Sequence, residues 1–214
     1  MRARSPVCVS TWRALRSALW GWLLVREYFL TPCLHTIPQD GLPLTINGRT
    51  RLCVMELRIV DIEKSEETSV VLAQAHFIKT VEDVYESIVS AVPGAKFGLA
   101  FNEASGPRLV RYDGNDDGLI KLAVTNSEKI GAGHLLVIML EGAYPINVLN
   151  SLKHIQEITT IYSASSNPTR VVIAVEGEGI ALLGVMDGMS PRARESDSQK
   201  LERHEFLRKI GYKR

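Results

Sequence analysis

The stretch His134–Glu141, HLLVIMLE, constrains the fold more than any other part of the chain. Six apolar residues in a row, Leu135 to Leu140, read as a strand covered on both faces, because a half-solvated strand would alternate. A sheet with such a strand at its centre needs a packed layer on each side.

The flanking sequence supplies those layers. Glu56 to Glu63 alternates Leu57, Ile59 and Ile62 with charges, and Ser69 to Phe77 is apolar and β-branched at its start, so both read as strands. Thr80 with Asp83 has capping-box spacing, and Val81, Val84, Tyr85, Ile88, Val89 and Val92 share one helical face up to Pro93-Gly94. Lys96 to Asn102 and Leu109 to Tyr112 read as strands. Asn115 or Asp116 caps a helix running to Ile130, with Gly131 as its stop. A short helix follows Asn147, and Ile158 to Tyr162 is a short strand before a turn at Ser163 to Pro168. Arg170 to Glu176 and Ile180 to Met186 form a hairpin across Gly177-Glu178-Gly179, and Ser196 with Gln199 caps a C-terminal helix. Strands alternate with helices while hairpins also occur, so the expectation is an α/β domain with one mixed sheet.

Composition divides the chain near residue 55. All three cysteines and all three tryptophans precede it, and all nine lysines follow it. Residues 1–54 carry seven arginines and two acids, whereas residues 55–214 carry 18 basic and 22 acidic residues. Residues 1–54 are therefore expected to be a non-domain extension, with the domain in 55–214. Either translation starts at Met55, or the arginine-rich segment is a targeting sequence, or it is a folded extension. Its apolar run Ser17–Val25 is too short to span a bilayer, which needs about 20 residues. A mildly acidic domain without a basic stripe predicts no nucleic-acid partner and no membrane. The lack of cysteine in 55–214 excludes thiolate chemistry there and suits a cytoplasmic location.

Familiar phosphate and hydrolase motifs are absent from the sequence. No Gly-Lys dipeptide occurs, so there is no Walker A loop, and no nucleophile elbow or HExxH motif occurs. Gly131-Ala132-Gly133-His134 is the most suggestive local feature. Glycines admit a ligand close to backbone, and a neutral imidazole beside them can accept a phosphoryl group or a proton. The same residues also read as a helix stop, a turn and a strand start. Asn102 and Glu103 follow a strand, where a sheet presents ligand groups, and Glu103 can bind ribose hydroxyls. Asn115 and Asp116, with Asp113 and Asp117, offer oxygen ligands of the kind magnesium prefers, or simply cap a helix. Tyr144 can stack on a base and Asn147 opens a helix whose N-terminus suits an anion, or else Asn147 caps and Tyr144 packs. Asn167 lies in a polar turn, and His76 borders a strand.

In this order, AHFIKTVEDVYESIVSAVPGAKFGLAFNEASGPRLVRYDGND, KIGAGHLLVIMLEGAYPINVLNSLK, YSASSNPTRVVIAVEGEGIALLGVMDG and RKIGYK resemble the adenosine-specific kinase family over residues 55–214. The resemblance implies a three-layer α/β/α sandwich that binds adenosine or AMP, and a phosphorylated histidine. It points to His134 first and His76 second, with Asn102, Glu103, Asn115, Asp116, Asn147 and Asn167 as matched polar positions. The expectations are thus an adenosine- or AMP-binding phosphotransfer protein, a non-catalytic adenosine sensor, or an assembly module. An antiparallel edge strand would favour a homo-oligomer.

Overall fold

The computed structural model describes residues 42–46, 49–53 and 55–214. In chain order the strands are β1 (Leu42–Ile46), β2 (Arg49–Cys53), β3 (Glu56–Asp61), β4 (Ser69–Ala75), β5 (Lys96–Asn102), β6 (Val110–Gly114), β7 (Leu135–Glu141), β8 (Ile158–Ser165), β9 (Thr169–Glu176) and β10 (Gly179–Asp187). The helices are α1 (Thr80–Ala91), α2 (Asp117–Ile130), α3 (Pro145–Lys153) and α4 (Asp197–Lys209). Apart from the β1–β2 pair, the expectation for residues 1–54 lies outside the described residues.

The apolar run sits where its composition requires. β7 is the middle strand of a five-stranded sheet, β6-β5-β7-β4-β8, and from Leu135 to Leu140 no residue is more than 2% exposed. On one face α1 and α3 pack Val84, Ile88, Val148 and Leu152 against Phe97, Leu99, Leu136 and Ile138. On the other, α2 and a second sheet, β10-β9-β3, pack Leu119, Ala123, Val171 and Ile173 against Val70, Leu72, Val137 and Met139. The α/β class and its layers are as expected.

Two details of the expected sheet are corrected. Every described ladder is antiparallel, so the sheet is not mixed, and the third layer contains a sheet as well as a helix. The reason lies in the crossovers. α1, α2 and α3 each link two strands of the same direction, but an oppositely directed strand is inserted between the pair: β7 between β4 and β5, β5 between β6 and β7, β4 between β7 and β8. These are split βαβ units, whose sequence alternation matches that of a parallel sheet.

Local chemistry sets how closely the layers approach. A Cβ on Gly98 would stand 2.1 Å from Ile120 N, so only glycine lets α2 lie directly on β5. Gly131 ends α2 in the left-handed region at φ 68°, as its position in the sequence predicts. Two predicted caps are different. Lys79, not Thr80, precedes α1, and no side chain caps that helix, because Thr80 Oγ1 turns back to donate to Phe77 O at 2.7 Å. α3 starts at Pro145, and Asn147 accepts from Tyr144 N at 3.0 Å from inside the first turn. The strand read as ending at Tyr162 continues through Ser165, shortening the predicted turn.

Candidate functional site

Antiparallel pairing dictates which side chains share an end of the five-stranded sheet. Asn102, His134 and Ala75 meet at one end: His134 N donates to Asn102 O at 2.8 Å, and Ala75 N donates to His134 O at 3.0 Å. Glu141 lies opposite Lys96 at the other end, beside Ser69 and Ser165. A strand of six or seven residues rising about 3.3 Å per residue separates the ends by about 20 Å. The residues singled out in the sequence therefore divide. Asn102, Glu103, Gly131, Gly133, His134 and His76 fall at the His134 end. Asn115, Asp116, Tyr144, Asn147 and Asn167 fall at the Glu141 end.

At the His134 end, Asn102 is a buried fastener. Its Nδ2 donates to Ala132 O at 2.9 Å and Ser127 O at 3.2 Å, and its Oδ1 accepts from Ser127 Oγ at 2.8 Å. One amide proton thereby holds the Gly131–Gly133 loop and the other the last turn of α2 against β5. Glu103 accepts from Leu109 N at 3.0 Å and Arg111 Nε at 2.8 Å, which ties the 103–109 loop. The Leu109 N–H first, and the Arg111 guanidinium with it, hold the Glu103 carboxyl below the usual range. Gly133 closes onto the same loop, since a Cβ there would lie 3.0 Å from Ala104 Cβ.

His134 itself adopts φ 60°, an uncommon conformation for a residue other than glycine. Its half-buried ring stacks on Phe101 with centroids 6.1 Å apart and planes 6° from parallel. His76 is exposed. Two clefts open at this end. One of about 650 Å³ is lined by Asn102, Glu103, Arg108, Glu128, Gly131 and Gly133, among others. A smaller one of about 260 Å³ is lined by Gln74, His134 and Tyr162 and shares Gly133 and Ile180 with the first. Sequence reasoning missed Lys79 and Glu157, which form an ion pair beside His76. Lys79 reads only as the residue before a cap, and Glu157 as a loop acid; no spacing links them.

The polar residues of the Glu141 end largely bond to the fold. Asn115 accepts from Phe97 N at 2.8 Å and donates to Ala95 O at 2.8 Å. Asp116 caps α2 through Gly118 N and Leu119 N. The Leu119 N–H, with Lys96 nearby, lowers its carboxyl below the ordinary value. Asn167 and Ser165 both donate to Asp187 Oδ1, at 2.9 and 2.5 Å. Tyr144 is exposed rather than packed, and with Gly142, Asn147, Ser69 and Ser166 it lines a cleft of about 750 Å³. The carboxylate cluster considered for magnesium is dispersed: Asp113 accepts from Gly114 N while Asp116 caps. Among the described residues no group of three or more His, Cys, Asp or Glu is placed to hold a metal ion. Among those residues no helix is long and apolar enough to cross a membrane.

Three comparisons bear on this geometry. The chain matches the family model described as adenosine specific kinase over residues 60–213. It is similar to the PH1918 protein of Pyrococcus horikoshii OT3, whose crystal structure superposes with a TM-score of 0.72 at 48% identity, covering 75% of this chain and 99% of that one. No curated protein matches.

Proposed function

Because the chain belongs to the adenosine specific kinase family, we propose that it binds adenosine or AMP at the His134 end of the five-stranded sheet, where one of two histidines accepts a phosphoryl group. One observation carries the reading. Asn102, Glu103, Gly131 and Gly133 line a single cleft of about 650 Å³, a volume that suits a small ligand, and His134 borders the adjoining cleft. Glu103, Glu128 and Glu178 line it beside Arg108. Carboxylates accept from ribose hydroxyls and repel polyphosphate, so a neutral nucleoside should be favoured over ATP.

A second reading, a sensor that binds the nucleoside without covalent chemistry, draws support from the cations present. Arg108 pairs with Glu178 at 2.9 Å and Arg111 with Glu103 at 2.8 Å, so both guanidiniums are already engaged. Calorimetric titration of adenosine, AMP and ATP into the full chain tests both readings. Saturable adenosine or AMP binding with weaker ATP binding is expected, and no saturable binding of any of the three would overturn both. A histidine that never acquires phosphate in a chain that binds adenosine would leave the sensor.

A further inference from the structure

The outer face of the three-stranded sheet β10-β9-β3 is apolar where contact with water calls for polar residues. Val171, Ile173 and Val175 of β9 point into the core with Val60, Leu182 and Val185. Alternation along the strands turns the intervening residues outward: Val172 and Ala174 on β9, Leu57 and Ile59 on β3, Ala181 and Met186 on β10. An antiparallel sheet with one face in water carries polar residues on that face. Here Leu57 and Ile59 are each 56% exposed, and so is Leu183 in the bulge of β10. α4 does not serve as their cover, since none of its residues is buried. A contiguous exposed apolar face of this kind marks an interaction surface.

The residues of this face are arranged to meet a copy of themselves. The outward row of β9 reads Arg170, Val172, Ala174, Glu176, with a cation at one end and an acid at the other. Turned end for end over an identical row, it sets Arg170 opposite Glu176 and Val172 opposite Ala174, each twice by symmetry. Opposite charges then meet at both ends, and a larger side chain meets a smaller one between them. The flanking strands follow from the register: Leu57 falls opposite Ile59, and Ala181 opposite Gly184. Laid in the same direction, the rows would instead stack Arg170 on Arg170 and Glu176 on Glu176.

We propose that this face is the interface of a homodimer, with two copies packed sheet to sheet about a two-fold axis that lies between the sheets and across the strands. The contact is isologous, so one patch serves both copies. Sheets packed in this way lie about 10 Å apart with strand directions within about 30° of each other. Arg170 meets the partner's Glu176 at each end, and these pairs fix the direction of packing. Three strands about 4.8 Å apart and about 20 Å long give a face of about 300 Å² in projection, so the interface is a small one. The dimer should therefore dissociate at micromolar concentration. This assignment does not depend on the nucleoside reading.

Sedimentation equilibrium of the full chain across the micromolar range tests it. A reversible monomer–dimer equilibrium is expected. Ile59→Asp should raise the dissociation constant about tenfold or more, because the dimer would bury the new charge. Its circular dichroism should be unchanged, since that side chain is exposed in the single chain. Arg170→Glu and Glu176→Arg should each weaken the dimer about tenfold. An equimolar mixture of those two variants should regain the parent affinity, because one chain then supplies only acids and the other only cations. Hydroxyl-radical labelling of Leu57 and Met186 should fall as the protein concentration rises. A chain that stays monomeric throughout overturns the proposal, as does a dimer that Ile59→Asp leaves intact. So does a mixture of the two charge variants that fails to associate. Protection of Leu57 that is independent of concentration would show that the chain's own N-terminal segment covers the face, and would overturn the proposal as well.

Discussion

The two ends of the five-stranded sheet carry polar residues of the same kinds, yet they use them differently. At the Glu141 end, Asn115 and Asp116 direct their oxygens and amides at backbone groups, and Asn167 directs its amide at the Asp187 carboxylate. At the His134 end, Asn102 and Glu103 do the same, but two imidazole rings and one buried carboxylate oxygen are left without hydrogen bonds among the described residues. Polar composition alone therefore does not distinguish a fastener from a chemical group. What distinguishes them is whether the hydrogen-bonding capacity is used up when the chain folds.

The contrast can be tested at four points. The largest effect should come from Gly98, in the strand that joins the ends, where a Cβ would collide with the α2 backbone. Gly98→Ala should destabilise by about 3 kcal/mol in urea unfolding and damage both ends together. Asn102→Ala should cost about 2 kcal/mol by leaving Ala132 O and the buried Ser127 hydroxyl without their Asn102 partner, and should weaken adenosine binding by releasing the Gly131–Gly133 loop. Asn167→Ala should cost about 1 kcal/mol and leave the adenosine affinity within about twofold, because its site is remote. An equal loss of affinity in both asparagine variants would dissolve the distinction between the ends.

The smallest effect concerns acid. The folded Glu103 carboxyl titrates below its unfolded value, so its contribution to stability is present above about pH 4.3 and is lost as pH falls through the folded value. Glu103→Gln should flatten the stability profile below that pH and leave the neutral region little changed. A profile identical to that of the parent chain would show that this carboxylate is not a fastener.

Much of the architecture was legible because its signals are local. The Leu135–Leu140 run, the helical face of Val81, Val84 and Ile88, the stop at Gly131 and the Ser196–Gln199 capping box each depend on neighbouring residues. Strand order was not legible, because a split crossover and a parallel one share the same alternation of elements. The candidate site was half legible for a related reason. Gly131, Gly133 and His134 adjoin in sequence, but their separation from Asn115 and Asn167 follows from register. The Lys79–Glu157 pair joins residues 78 positions apart, which no motif spans.

The split crossovers also constrain how the chain comes into being. β7 lies between β4 and β5, yet it is made after both, and neither of those strands has a partner on that side until residue 141 has been synthesised. The core on both faces of the sheet must wait for the same event. A chain emerging from the ribosome therefore gains little from its first three-fifths and completes its sheet late, with slow folding driven by contacts between distant residues. A nascent chain arrested before Leu135 should be held open and protease-sensitive, and one arrested beyond Ser165 should close.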